Sequence, residues 1–405
     1  MTVPDPAVVL VAQVAEVRAD LARVERVLGD ATVADPGQRA VRDRFQVLAH
    51  RVATDLARID AQARLPGAAP GLWPRLAASR GEVARISREA LAFLQGVLLR
   101  ASGLDDGVGA VADRMLAGLT ARTGVDRSVL TAVDDREFLD HTVSMVRLRF
   151  PDTSVWGLPI VAHELGHHVA IALVDADPAL RAAGAPPVLS YLIGATTAEV
   201  AAGADRTQAK AWLHELFADV YATYALGAAY PLAVLTLRAA PDQYADATPT
   251  HPSWRRRVTT MVGALEAMGS AAPDPARARA YRLLVERRVV PVWRLMSGDG
   301  IPAGPAAGTA RRQAAEMVDL LARHAPDRLR YDPTAPVERL VALLDAAAAD
   351  PYRRRGQPPD LPAGTAVPHV LNAAWRWRVE HWNADRAAID RVSGAALDCC
   401  LVAEA

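Results

Sequence analysis

The sequence predicts a mainly α protein. Apolar residues recur at three- and four-residue spacing through most of the 405 residues. Period-two alternation is almost absent: only Val143–Phe150 alternates, weakly, before Pro151, and reads as one short strand. At 51% hydrophobic and 23% charged, the chain can also bury a core.

Residues 5–64 carry Val9, Val14, Val17, Leu21, Val24 and Val27, then Phe45, Leu48, Val52, Leu56 and Ile59, at helical spacing. They read as a helical hairpin broken at Asp35-Pro36-Gly37. Residues 66–74, rich in proline and glycine, read as a linker. Helices fit 80–101 and 107–122, then from Pro159, in a first turn, to about Val174, and over 188–203 and 207–229. Residues 275–295 are helical and 296–309 are a break. Helices near 309–324, 335–349 and 367–400 complete the chain, with the Pro/Arg/Gly-rich 351–366 between the last two. The expected division is a hairpin at 1–66, a core at 75–270 and a C-terminal helical domain at 275–405.

Lys+Arg and Asp+Glu both number 46, which argues against a basic nucleic-acid binder. Trp375, Trp377 and Trp382 with Arg376, Arg378 and His381 therefore read as helix packing rather than base stacking. The two cysteines, Cys399 and Cys400, are adjacent and give no disulfide framework; they read as buried thiols. Val8–Ala12 is apolar, but Gln13 and Glu16 follow, so the start reads as helix and not as a secretion signal. The longest uncharged run, Val220–Leu237, contains Tyr221, Tyr224, Tyr230 and Pro231 and reads as a buried helix broken near Pro231, not as a membrane span. The expectation is a cytoplasmic protein without stable membrane insertion.

The chemistry lies in His163-Glu164-Leu165-Gly166-His167, an HExxH sequence within an apolar stretch. Histidines four apart share one helical face and can bind one Zn²⁺. Glu164, about 100° round the helix, can reach a metal-activated water as general base. With 10 His and 14 Glu in the chain, about 0.01 such matches are expected by chance. Apolar flanks such as Ile160, Val161, Val169 and Ile171 add weight, because polar groups on a buried helix need partners. No HExxHxxGxxH extension follows. A catalytic zinc wants a third protein ligand. His214-Glu215-Leu216-Phe217-Ala218-Asp219 offers Glu215 and Asp219 on one helical face among apolar neighbours. Glu215 can ligate, Asp219 can hold a ligand histidine by its far ring nitrogen, and His214 is the competing ligand. His168 reads as a hydrogen-bonding core residue. Tyr221 and Tyr224 could donate to an oxyanion, but core packing is the better reading.

The third segment is Thr250-His251-Pro252-Ser253-Trp254-Arg255-Arg256-Arg257. HExxH, an ELxAD-like segment and HPxxxxR, in that order, resemble the gluzincin metallopeptidases of the HtpX and CAAX prenyl-protein endopeptidase type. The resemblance covers roughly 155–260. It implies a zincin-like core with at most a small β element, one Zn²⁺ per chain on His163, His167 and Glu215, Glu164 as base and Asp219 behind the ligands. It also implies that His251 and Arg257 stabilise the transition state; Arg255 and Arg256 are then surface residues. Those relatives are typically membrane-embedded, which this chain is not expected to be. The expected function is a zinc-dependent endopeptidase acting on a protein or peptide, with no nucleic-acid partner. The alternatives are a zinc-binding regulatory or scaffold protein with a vestigial site, against which the intact Glu164 argues, and a zinc hydrolase of a non-peptide amide.

Overall fold

A computed structural model of the chain describes residues 6–31, 33, 35–65, 69–125, 130–134, 139–140, 145–149, 154–173, 187–239, 245–324 and 329–404. Of the segments discussed above, residues 5, 32, 34, 66–68, 143, 144, 150, 151 and 174 lie outside these. The described residues are mainly α-helical.

Three helices open the chain: α1 (Pro6–Asp30), α2 (Pro36–Ala63) and α3 (Ala69–Ala101). Asp35 caps α2, accepting from the Gln38 N–H at 2.9 Å, and Pro36 takes the first turn, where its missing N–H costs nothing. Leu10, Val14, Val17 and Leu21 of α1 meet Phe45, Val52, Leu56 and Ile59 of α2 and Leu76, Ile86 and Phe93 of α3 in a core separate from the rest of the chain. The helical pair is thus a trio. Residues 69–74, read from sequence as linker, are the first turns of α3, with Pro74 inside the helix. Burial of Leu72 and Leu76, about 1.5–3 kcal/mol each, offsets the roughly 3 kcal/mol that an internal proline costs.

Next come α4 (Val108–Thr123), set between left-handed Gly107 and Gly124, and a small sheet of β1 (Leu130–Asp134), β2 (Leu139–Asp140) and β3 (Met145–Arg149). The strand order is β1-β3-β2. β1 runs parallel to β3 with Leu130 opposite Met145, and β2 antiparallel with Leu139 opposite Val146.

The remaining helices are α5 (Leu158–Ala172), α6 (Pro187–Ala201), α7 (Arg206–Leu226), α8 (Ala229–Leu237), α9 (Trp254–Ser270), α10 (Pro275–Leu284), α11 (Val290–Ser297), α12 (Pro305–His324), α13 (Val337–Ala349), α14 (Val367–Glu380) and α15 (Arg386–Val402). A π-helical turn, Val285–Val289, joins α10 to α11 just before Pro291, whose ring cannot fit a regular helical turn there. The helix expected over 367–400 is two helices, because Asp385 starts α15 by accepting from the Ala388 N–H at 2.7 Å. The stretch Val220–Leu237 is broken as expected, at Gly227, four residues before Pro231. Gly227 has φ of 61°, while Pro231 lies in the first turn of α8, where proline is tolerated. No helix among the described residues is long and apolar enough to cross a membrane.

One apolar core runs from α4 to α15, so the segments 75–270 and 275–405 share it. Trp375, Trp377, Cys399 and Cys400 are buried there, and burial raises the Cys399 thiol to about 11. Helices α5 and α7 cross at the centre, and Gly166 sets their approach. A Cβ at this position would lie 2.8 Å from Ala218 Cα and 3.2 Å from both Ala218 Cβ and the Ala218 carbonyl oxygen.

Candidate metal centre

That crossing superposes the first two motifs. His163 and His167 project from one face of α5 and Glu215 meets them from α7, one turn before Ala218. One donor atom from each of the three lies within 4.8 Å of the others. His163 Nε2 is 3.4 Å from Glu215 Oε2, and His167 Nε2 is 3.4 Å from Glu215 Oε1. Two imidazole nitrogens and one carboxylate in this arrangement are a donor set that suits zinc and leaves a position open. Glu215 and not His214 supplies the third donor; His214 is half-buried near His167. Glu164 is partly exposed on α5, and His168 is buried.

Behind the donors lies a buried network. Asp219 is one turn beyond Glu215 on α7, its Oδ1 3.1 Å from His163 Nδ1. Arg257, from the first turn of α9, donates to both Asp219 oxygens, Nε at 2.8 Å and Nη2 at 2.6 Å. Its guanidinium also lies 4.5 Å from the centre of the Trp254 ring. Tyr230 of α8 donates to Asp219 Oδ1, and its oxygen is 2.8 Å from His163 Nδ1 and 3.3 Å from Arg257 Nη2.

The electrostatics follow from these contacts. Burial depresses the His163 pKa, but contact with Asp219 and Glu215 outweighs it and lifts the value to about 10. His167 is pushed down to about 3 by burial and by the charge on His163. Burial would raise Glu215 and Asp219, yet both are held below the ordinary carboxylate range, Glu215 chiefly by His163 and Asp219 chiefly by Arg257. Arg257 neutralises Asp219, so the site offers a cation two imidazoles and one net carboxylate.

His251 comes from the exposed side. Its side chain is 54% exposed, with Nε2 3.6 Å from Glu215 Oε1. A short turn holds it: the His251 N–H donates to Thr248 Oγ1 at 2.9 Å, and the Trp212 indole N–H of α7 donates to the Thr248 carbonyl at 2.9 Å.

Six of the seven singled-out residues therefore gather at one place, and Glu164 follows His163 on the same helix, with two departures from expectation. Arg257 does not stand beside His251 on the exposed side; its guanidinium is committed to Asp219, because a buried carboxylate needs a partner. Arg256 is not a surface bystander. It pairs with Glu199 at 2.6 Å, donates to Gln313 at 3.3 Å and lies over Trp212 at 5.7 Å, whereas Arg255 is exposed and pairs with Asp299. Tyr221 and Tyr224 are buried in the core. Sequence reasoning did not single out Tyr230; the available signal was a phenol in the apolar stretch Ala228–Leu237, whose hydroxyl needs a partner once buried. No family model, curated protein or solved structure matches the chain, so the functional reading rests on the site itself.

Proposed function

We propose that this protein is a zinc-dependent endopeptidase of gluzincin type, with His163, His167 and Glu215 holding one zinc per chain. The observation that carries the reading is the convergence of these three donors where α5 crosses α7, with His251 on the exposed side; Glu164 is the next residue after His163 on α5 and partly exposed. A bound zinc would polarise a scissile carbonyl and lower the pKa of water to about 7. Glu164 takes the proton from the attacking water and passes it to the leaving amine. His251 donates to the carbonyl oxygen as negative charge develops on it. Arg257 keeps Asp219 ionised and in place, a positioning role rather than contact with the substrate.

The test compares wild type with Glu164→Gln, both loaded with zinc, on a panel of denatured proteins. The reading requires cleavage by wild type and loss of most of it in Glu164→Gln with zinc retained. Equal cleavage by both, or none by wild type, would reject it.

A further inference from the structure

Helix α8 brings one group to the centre that none of the three motifs supplies: the Tyr230 hydroxyl. We infer that Tyr230 is a positioning residue, whose oxygen accepts the His163 Nδ1 proton and so presents Nε2 to the metal. The inference rests on the metal-centre reading above.

The argument is proton bookkeeping in a closed space. A phenol has one proton to give, and Tyr230 is fully buried, so that proton has to go to a protein atom. Three polar groups surround the hydroxyl. Arg257 Nη2 can only donate. Asp219, locked by two bonds from Arg257, is a carboxylate and can only accept. The Tyr230 proton therefore goes to Asp219 Oδ1. The oxygen keeps its lone pairs for Arg257 and for His163 Nδ1 at 2.8 Å, so Nδ1 has to be the donor. In the neutral ring the lone pair is then on Nε2, the atom 3.4 Å from Glu215. Asp219 Oδ1 is farther from Nδ1, at 3.1 Å, and already takes protons from Arg257 and Tyr230. The contact that orients the ring is thus the phenol, with Asp219 and Arg257 acting through it.

The backbone supports this placement. Gly227, at φ 61°, ends α7, and Pro231 stiffens the first turn of α8 beside Tyr230. Asn372 of α14 bridges the break, accepting from the Ala229 N–H at 3.1 Å and donating to the Leu226 carbonyl at 2.7 Å.

Tyr230→Phe removes one oxygen and keeps the ring. Zinc affinity, read by competition with a chromophoric chelator, should fall about 10–100-fold, the usual effect of removing a partner of a ligating histidine. The visible absorption bands of the cobalt(II)-loaded protein should shift as the ring loses its anchor. A purely structural tyrosine would lower the melting temperature of the metal-free variant and leave affinity and spectrum unchanged; that result overturns the inference alone. Wild type that binds no zinc overturns the metal-centre reading and this inference with it. Nitrogen-15 NMR of zinc-loaded wild type gives a check that needs no variant: His163 should be bound through Nε2 with a proton on Nδ1, and binding through Nδ1 would contradict the assignment.

Discussion

At the scale of single residues, His163 couples the site to pH. Lifted to about 10, it carries a proton in the metal-free protein at neutral pH that a metal has to displace. His167, pushed down to about 3, is already neutral, and Glu215 is already ionised. Zinc uptake near pH 6, where a zinc-bound water with a pKa of about 7 stays mostly protonated, should therefore release close to a single proton, and affinity there should climb about tenfold per pH unit. Calorimetry in buffers of different ionisation enthalpy counts the proton; a count near zero would show that His163 is neutral without metal. His251 lies on the exposed side, where the proposed mechanism puts the substrate. Truncating it to alanine should lower kcat and kcat/KM together by about 10²–10³ with zinc retained. Arg255→Ala, altering an exposed pair on the same helix start, should leave both constants unchanged. Near wild-type turnover by His251→Ala would remove that residue from the chemistry.

At the scale of elements, the centre depends on how closely α5 and α7 approach. Gly166 lies inside HExxH, and its lack of a side chain admits the Ala218 backbone. Gly166→Ala sets two effects in opposition. Alanine is favoured over glycine in a helix by about 1 kcal/mol, while overpacking a close contact costs about 1–3 kcal/mol. Because the new methyl would meet backbone, the second should win: thermal unfolding should show a less stable protein, and zinc affinity should fall as Glu215 moves off the histidines. A more stable variant with full affinity would show that the crossing has slack. The two motifs that supply the candidate donors are legible in sequence because each is local, one helical face with fixed spacing. The sequence puts the break in Val220–Leu237 near Pro231, since proline is the stronger helix breaker; tertiary packing sets it at Gly227, where a Cβ would run into the Tyr331 ring. The sequence does not single out Tyr230, because its partners are set by a turn whose position depends on Tyr331 and Asn372, far along the chain.

At the scale of the molecule, the C-terminal helices complete the site without entering it. Asn372 is buried and makes three hydrogen bonds, to Ala229, Leu226 and Pro368, holding the turn that delivers Tyr230. Asn372→Ala would orphan buried backbone groups at about 1–3 kcal/mol each, so denaturant unfolding should show a loss of that order, with weaker zinc binding; unchanged stability would mean the turn holds itself. The mainly α class was readable from periodicity alone. The shared core of α4 to α15 was not, because no local pattern tells which helix packs on which. The central claim is that three donors on two crossing helices make one metal centre, and elemental analysis of the purified chain and its variants tests it most directly. Wild type and Glu164→Gln should each carry one zinc per chain, and His163→Ala, His167→Ala and Glu215→Ala should carry almost none. Equal zinc in wild type and His163→Ala, or none in wild type after zinc is supplied, would contradict the account.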